Sequence, residues 1–355
     1  MKLGIFGLPQ SGKTTLFNAL TRNTQPTGAT GKIEMHTAVV DVPDSRVDKL
    51  AAMFKPKKTI YAKVTYVDIA GLDGSAGKAG ISGVLLNQLT QMDGFIHVVR
   101  CFTDENVPHI HGSIDPARDL AAMDSEFILN DLIGVERKLE RLAEEKKKGA
   151  GRDKSVIERE IVLFERFQVE LSNEKPLRDV AISAEEEKLL AGFGFLSRKP
   201  VLIVLNLAEG QSAPSLEYPH QHSLIEALQA KLEMEISQLP PDEMQVFLEE
   251  YGIEEPSLFR MIRLSYNLLG LQSFFTAGED ECRAWTTRKG ATAPEAAGEI
   301  HTDLQKGFIR AEVVAYEDLI SLGGLKEAKE KGKLRLEGKE YIVQDGDVLN
   351  IRFNI

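Results

Sequence analysis

The first fifteen residues, Met1-Lys-Leu-Gly-Ile-Phe-Gly-Leu-Pro-Gln-Ser-Gly-Lys-Thr-Thr15, constrain the fold more than any other stretch of the chain. Lys2 to Phe6 is a short apolar run of the kind a buried strand makes. Gly7, Gly12, Lys13 and Thr14 satisfy G-x-x-x-x-G-K-[ST], and Leu16 to Leu20 continues with helical character. Strand, glycine loop and helix in that order are the context a phosphate-binding loop requires. The glycines let backbone N–H groups turn inward around phosphate oxygens. The Gly12-Lys13 end sets those oxygens at the positive end of a helix. Gln10, Ser11, Gly12, Lys13, Thr14 and Thr15 are therefore candidate nucleotide contacts. Lys13 is expected to reach the β- and γ-phosphates and stabilise charge in the transition state, and the Thr14 hydroxyl to hold Mg²⁺.

A chain of 355 residues, 43% hydrophobic and 27% charged, suits a soluble protein of two or three domains. The longest apolar stretches, such as Val201 to Leu205, are too short to span a membrane. The N-terminus already reads as a core strand, so no signal peptide is expected. Cys101 and Cys282 cannot make a disulfide framework and are expected to be reduced core residues in a cytoplasmic setting. A formal net charge of -11 argues against broad, sequence-blind nucleic-acid binding, and no DNA partner is expected. An RNA contact would need a local basic patch, for which Lys146 to Lys154 is the candidate.

Ala38 to Val42 reads as a strand, and Tyr61 to Leu72 as a second one that runs into Asp68-Ile-Ala-Gly71. An acid with D-x-x-G spacing at a strand end is the second half of a phosphate site: Asp68 would hold Mg²⁺ and the Gly71 amide would sense the γ-phosphate. Asp73 to Gly83, rich in Gly and Ala, reads as a switch segment. Phe95 to Arg100 is the next strand, with His97 as a core histidine. From Ala121 to Gly149, Ile128, Leu132, Val135, Leu139 and Leu142 recur at alternating four and three. Ile157, Ile161, Phe164 and Leu171 resume that spacing, with Gln168 as a polar interruption, so a helical hairpin is predicted. A short helix over Ala184 to Ala191 has Ser183 as its N-cap. Val201 to Asn206 returns to a buried strand, which makes the hairpin an insertion.

Asn206-Leu-Ala-Glu209 follows that strand at the place where GTPases carry N-K-x-D. Glu209 stands for the Asp that pairs with guanine, and Leu207 for the Lys. The added methylene spoils the paired geometry on guanine, and a site that leaves polar groups unpaired discriminates strongly. ATP is predicted over GTP. Ser223 to Ser237 fits either helix or strand. Gly270 to Gly278 reads as the exit into a last domain. Cys282 to Trp285, Ile309 to Val314, Tyr341 to Val343 and Val348 to Phe353 are expected there as strands, with Tyr316 to Leu322 as a helix. His109-x-His111 and His220-x-His222 lack the further ligands a metal pair needs.

Taken together, these residues resemble the YchF / Obg-like ATPase family of P-loop NTPases, and the likeness covers the whole chain. It is carried by Gly7 to Thr15, Val67 to Leu72, His97-Val-Val-Arg-Cys-Phe102, Asn206 to Glu209, Gly290-Ala-Thr-Ala-Pro294 and Ile300-His-Thr-Asp303. The resemblance implies an α/β fold: a Ras-like P-loop NTPase domain, an inserted helical hairpin domain and a C-terminal β-grasp (TGS) domain. The expected boundaries are 1–119 with 196–276, 120–195, and 277–355. It also implies slow, Mg²⁺-dependent ATP hydrolysis and association with the ribosome or its RNA, through the TGS domain and the basic hairpin tip. Asn206, Leu207, Glu209 and Ala230 would frame the adenine. Ras-like enzymes place a Gln after D-x-x-G to orient water. Here that position is Leu72, and the resemblance assigns the role to His109.

Some residues depart from the family pattern. Gln10-Ser11 stands where Asn is usual, and Lys32 precedes Ile33-Glu34 where a Thr offers its hydroxyl to Mg²⁺, with Thr30 as the stand-in. Two other functions stay open from the sequence: a scaffold that holds ATP without hydrolysing it, which Leu72 and Lys32 favour, and a GTP-dependent switch, which Leu207 and Glu209 disfavour.

Overall fold

The computed structural model describes residues 1–22, 35–69, 72, 81, 83–148, 152–251 and 253–354. Contacts divide the chain into two compact units, Met1–Ala38 with Thr65–Leu258, and Val39–Val64 with Phe259–Ile355. In chain order the elements begin with β1 (Lys2–Phe6), α1 (Lys13–Thr21), β2 (Met35–Asp41), α2 (Ser45–Phe54), β3 (Lys58–Ile60) and β4 (Lys63–Ile69). They continue with α3 (Gly83–Thr90), β5 (Gly94–Arg100), α4 (Pro116–Lys148), α5 (Lys154–Ser172), α6 (Ala184–Leu189), β6 (Val201–Asn206) and β7 (Ser223–Leu228). After these come α7 (Ala230–Gln238), α8 (Pro241–Glu250), α9 (Ser257–Leu268), β8 (Leu271–Ala277), β9 (Glu281–Arg288), α10 (Ala293–Ile300) and α11 (Thr302–Lys306). The last are β10 (Phe308–Ala315), α12 (Tyr316–Leu322), α13 (Leu325–Glu330), β11 (Arg335–Glu337) and β12 (Asp347–Phe353).

The first unit is built on a six-stranded sheet of order β2-β4-β1-β5-β6-β7, parallel from β4 to β7. Its inner strands are apolar without interruption, as parallel strands covered on both faces must be; every residue of β5 and β6 is buried. Chain order reverses between β1 and β5, the place at the carboxyl ends of the strands where open α/β sheets bind ligands. Phe6 lies beside His97 and Arg100 beside Asn206. The turn after β1 and the ends of β5 and β6 therefore share one edge. His97 is the expected core histidine: its ring stacks on Phe6 at 4.6 Å, and burial holds its pKa down to about 3.

Helix α4 has 33 residues and runs unbroken across position 119/120. Leu120, Met123 and Phe127 pack into the core of the sheet, and Ile128 and Val135 pack into the core of the hairpin with Leu163, Phe164, Phe167 and Leu171. The seam predicted on α4 is present, with Leu132 and Leu139 partly buried. On α5 it is displaced. Ile161 is half-buried, the line runs through Leu163 and Phe167, and the polar interruption is Glu160 rather than Gln168. A straight 3.6-residue helix drifts off a seven-residue repeat, so the contacting stripe slips. Lys138 and Arg152 approach the Glu160 carboxylate at 2.8 and 2.5 Å. Ser183 caps α6 in a capping box with Glu186. The ambiguous 223–237 segment is strand and then helix, β7 followed by α7.

The second unit has a mixed six-stranded sheet of order β11-β10-β12-β8-β9-β3. Gly270 to Gly278, read as an exit, is instead the buried strand β8, with Phe274 and Phe275 fully buried. Tyr341 to Val343 is not a strand. It makes one bridge, Thr292 to Ile342, because the chain opposite turns at once into α10. Tyr316–Leu322 is the predicted helix, α12. Strand β3 pairs in parallel with β9, so the segment between β2 and β4 joins this sheet.

Candidate nucleotide site

The loop from β1 to α1 is shaped by backbone that only glycine adopts without cost. Gly7 has φ +146 and Gly12 φ +97, and a Cβ would lie 2.3 Å from the Val98 carbonyl oxygen or 2.2 Å from Asn206 Nδ2, respectively. Exposed Gln10 sits between them at φ +62. Ser11 is buried, and its Oγ has no hydrogen-bond partner. No side chain caps α1 and no acid lies in its first turn, which includes half-buried Thr15. The first N–H groups of this helix are thus left to an anion.

Lys13 Nζ donates to the carbonyl oxygens of Gly7 and Leu8 at 2.9 and 2.8 Å. Burial lowers its pKa to about 8, with the Asp68 charge opposing. Thr14 Oγ1 donates to Asp68 Oδ2 at 3.0 Å, and Asp68 Oδ1 is buried without a hydrogen-bond partner. Burial raises the Asp68 pKa, against the Thr14 bond and the Lys13 charge. A hydroxyl and a carboxylate with one orphaned oxygen are hard donors that suit Mg²⁺, an ion that keeps several waters and takes only one or two protein ligands. Among the described residues there is no cluster of three or more His, Cys, Asp or Glu that would hold a metal by itself.

Asn206 Nδ2 donates to the Ser11 carbonyl at 3.0 Å, and its Oδ1 accepts the Ala230 N–H at 3.0 Å. The side chain thus ties the phosphate loop to the start of α7, and Ala230 is fully buried there. Leu207 packs against the core of the sheet and Glu209 is exposed. Gln211, which nothing local in the sequence marks, accepts the Ala208 N–H at 2.8 Å and donates to the Cys101 carbonyl at 2.7 Å. Leu72 is buried in the sheet core, where an apolar side chain belongs. Gly71, Thr30 and Lys32 lie outside the described residues.

His109 lies in the loop after β5. Arg100 donates to the Phe102 and Val107 carbonyls of that loop at 3.0 and 2.6 Å, and its guanidinium covers the Phe102 ring at 4.5 Å. His109 is buried: Nδ1 accepts the His111 N–H at 3.1 Å and Nε2 lies 2.8 Å from Asp119 Oδ2. Arg118 holds the other Asp119 oxygen at 2.8 Å. At the hairpin tip, Lys146 pairs with Glu158, Lys148 with Glu144, and Arg152 with Glu145, so much of its positive charge is offset. His220 is bound to Asp179 at 2.7 Å.

A loop of this geometry at the end of the first strand of such a sheet is shared with known proteins. The family described as "50S ribosome-binding GTPase" matches residues 2–124, and YchF-GTPase_C, described as "Protein of unknown function (DUF933)", matches residues 271–354. The protein named "Ribosome-binding ATPase YchF" in Bacillus subtilis (strain 168) is 43% identical, over 99% of this chain and 99% of its own. This chain belongs to the YchF family. A YchF relative of the same name in Escherichia coli O157:H7 is 42% identical over 100% of this chain and 99% of its own. The solved "Structure of the Schizosaccharomyces pombe YchF GTPase" superposes with a TM-score of 0.84 at 31% identity, covering 99% of this chain and 97% of that one. The fold class and family expected from the motifs are those found.

Proposed function

We propose that this YchF-family chain is a slow Mg²⁺-dependent ATPase whose ATP state governs association with the ribosome, and that it works in the cytoplasm. The observation that carries the reading is the loop from Gly7 to Thr14 beside a Thr14–Asp68 pair with one orphaned carboxylate oxygen. The Bacillus subtilis and Escherichia coli relatives are named for ATPase activity and ribosome binding, which supports both here. Lys13 leaves the Gly7 and Leu8 carbonyls for the β- and γ-phosphates, where its charge meets the charge that develops on transfer. Thr14 and Asp68 would hold Mg²⁺, which when bound would offset charge on the phosphate oxygens. Gln10, Ser11, Gly12 and Thr15 line the phosphates, with Gly71 at the γ-phosphate. Asn206 and Ala230 brace the base pocket and Leu207 and Glu209 frame the adenine. The nucleotide domain is assigned to 1–119 and 196–276, apart from 39–64 and 259–276, which belong to the second unit, the helical insertion to 120–195 and a TGS domain to 277–355. That last domain and the hairpin tip are the assigned ribosome contacts.

Catalytic use of His109 requires that it leave Asp119, because its Nδ1 accepts the His111 N–H and its Nε2 is buried 2.8 Å from Asp119 Oδ2. The same observation, with Leu72 buried, favours a second reading in which the chain holds ATP as a scaffold without hydrolysing it. Cosedimentation with ribosomes in ATP and in ADP, followed by single-turnover phosphate release on the same material, tests both. The ATPase reading predicts nucleotide-dependent cosedimentation and phosphate release. Absence of release with and without ribosomes selects the scaffold, and equal cosedimentation in both nucleotides overturns the coupling to ribosomes.

A further inference from the structure

Among the described residues α3 is the first helix after Asp68, and its C-terminal end is gripped by the segment 194–199. Lys199 Nζ donates to the Leu89 and Thr90 carbonyls at 2.8 and 2.7 Å. The last carbonyls of a helix have no partner within it, and a cation there also meets the negative end of the helix dipole. The same ammonium lies 5.6 Å from the centre of the Phe95 ring of β5. Gly194 approaches the same helix end so closely that a Cβ would lie 2.7 Å from Thr90 Cβ and 2.9 Å from its Cγ2. Only glycine permits that approach.

The middle of the segment is held by the base of the hairpin. Asp131 of α4, buried, accepts the Leu196 N–H at 2.9 Å, the Ser197 N–H at 2.7 Å and the Ser197 hydroxyl at 2.7 Å. Buried Arg178 donates its backbone N–H at 3.1 Å and its Nη1 at 3.2 Å to the Ser197 carbonyl. Leu177 N–H donates to Ser197 Oγ at 3.2 Å. One short strap therefore binds the end of α3 at both its ends and the start of the hairpin at its centre. Its charged anchors have a polar network around them that a simple connector before β6 does not need, and hydrogen bonds in a low-dielectric interior hold such a segment in one register.

We propose that Lys199 and Asp131 are positioning residues through which α3 and the α4–α5 hairpin shift together, so that the nucleotide held at Thr14 and Asp68 is read out at the hairpin. This rests on the ATP reading above. The test is hydrogen exchange of the full chain with Mg²⁺ and either a non-hydrolysable ATP analogue or ADP, with nucleotide affinity measured on the same samples. In the unmodified protein, exchange in α4 and α5 differs between the two nucleotides by about fivefold or more, the scale of an ordinary coupling energy. Lys199→Met and Asp131→Asn abolish that difference while affinity stays within about threefold, and Lys199→Arg, which can still donate to both carbonyls, keeps it. Where Lys199→Met does not fold, Gly194→Ala replaces it; Thr90→Gly in the same chain removes the clash and restores the difference. A hairpin response unchanged in Lys199→Met and Asp131→Asn overturns the proposal, as does bound nucleotide with no response in the unmodified chain. Failure to bind ATP at all overturns instead the reading on which it rests.

Discussion

The two units treat their buried polar atoms differently. Beside the phosphate loop of the first, Ser11 Oγ and Asp68 Oδ1 are buried without hydrogen bonds, and further such atoms lie elsewhere in that unit, in the hairpin among other places, whereas among the described residues the second unit has no such side-chain atom. In the second unit Arg46 is shared between Asp44 and Asp345 at 2.8 and 2.7 Å. The Tyr341 hydroxyl and the Gln344 N–H converge on Asp347 at 2.7 and 2.9 Å, and Thr292 closes a capping box with Glu295. An unsatisfied buried polar group costs about 1–3 kcal/mol, so a phosphate or metal that meets Ser11 Oγ and Asp68 Oδ1 would recover part of that cost. The contrast is one of closure: the first unit leaves Ser11 Oγ and Asp68 Oδ1 open where a phosphate or a metal would meet them, and the second closes on itself.

The largest effect is expected where the first unit meets phosphate. Lys13→Ala should lower single-turnover hydrolysis by about 100- to 1,000-fold, the range for losing one charge aimed at the transition state. Phosphate release at saturating ATP checks this, and an unchanged rate removes the phosphate-loop assignment. Next comes the acid side of stability. The unfolded imidazole of His97 protonates near 6.5 and the folded one near 3, so the unfolded chain takes the proton first. Stability therefore falls as pH drops from 6.5 toward 3, by about 2 to 3 kcal/mol at pH 4.5. Denaturant melts across that range should show the slope, and His97→Phe should flatten it.

Asn206→Ala should cost about 1–3 kcal/mol, since it leaves the Ala230 N–H and the Ser11 carbonyl unpaired, and should weaken ATP binding with it. A stability loss without an affinity loss would separate the brace from the nucleotide site. The smallest effect belongs to the second unit. Glu295→Ala should cost about 1 kcal/mol through its cap and leave ATP affinity unchanged. A change in affinity there would break the division between the units.

What could be read from the sequence divides along similar lines. The phosphate loop, Asp68 and the long helix were legible because each is written in neighbouring residues: a glycine spacing, an acid at a strand end, a heptad seam. The Asn206 motif was legible as a motif, but its bonds to Ser11 and Ala230 depend on three segments meeting, so bracing could not be told from base reading. The partnership of His109 with Asp119 was missed because the chain turns between them. Strand β3 is only three residues long and pairs in parallel with distant β9, so no local pattern could place it in the second sheet. The strap over 194–199 was illegible for the same reason: Lys199 looks like any surface lysine until α3 is beside it.

The most direct measurement is calorimetric titration of the full chain with ATP and with GTP in Mg²⁺, repeated on Asp68→Asn. ATP should bind at least about tenfold tighter than GTP, as expected when a base-reading site leaves the wrong purine unpaired, and Asp68→Asn should remove the Mg²⁺ dependence. Equal or tighter binding of GTP, or Mg²⁺ dependence that survives Asp68→Asn, would contradict the account.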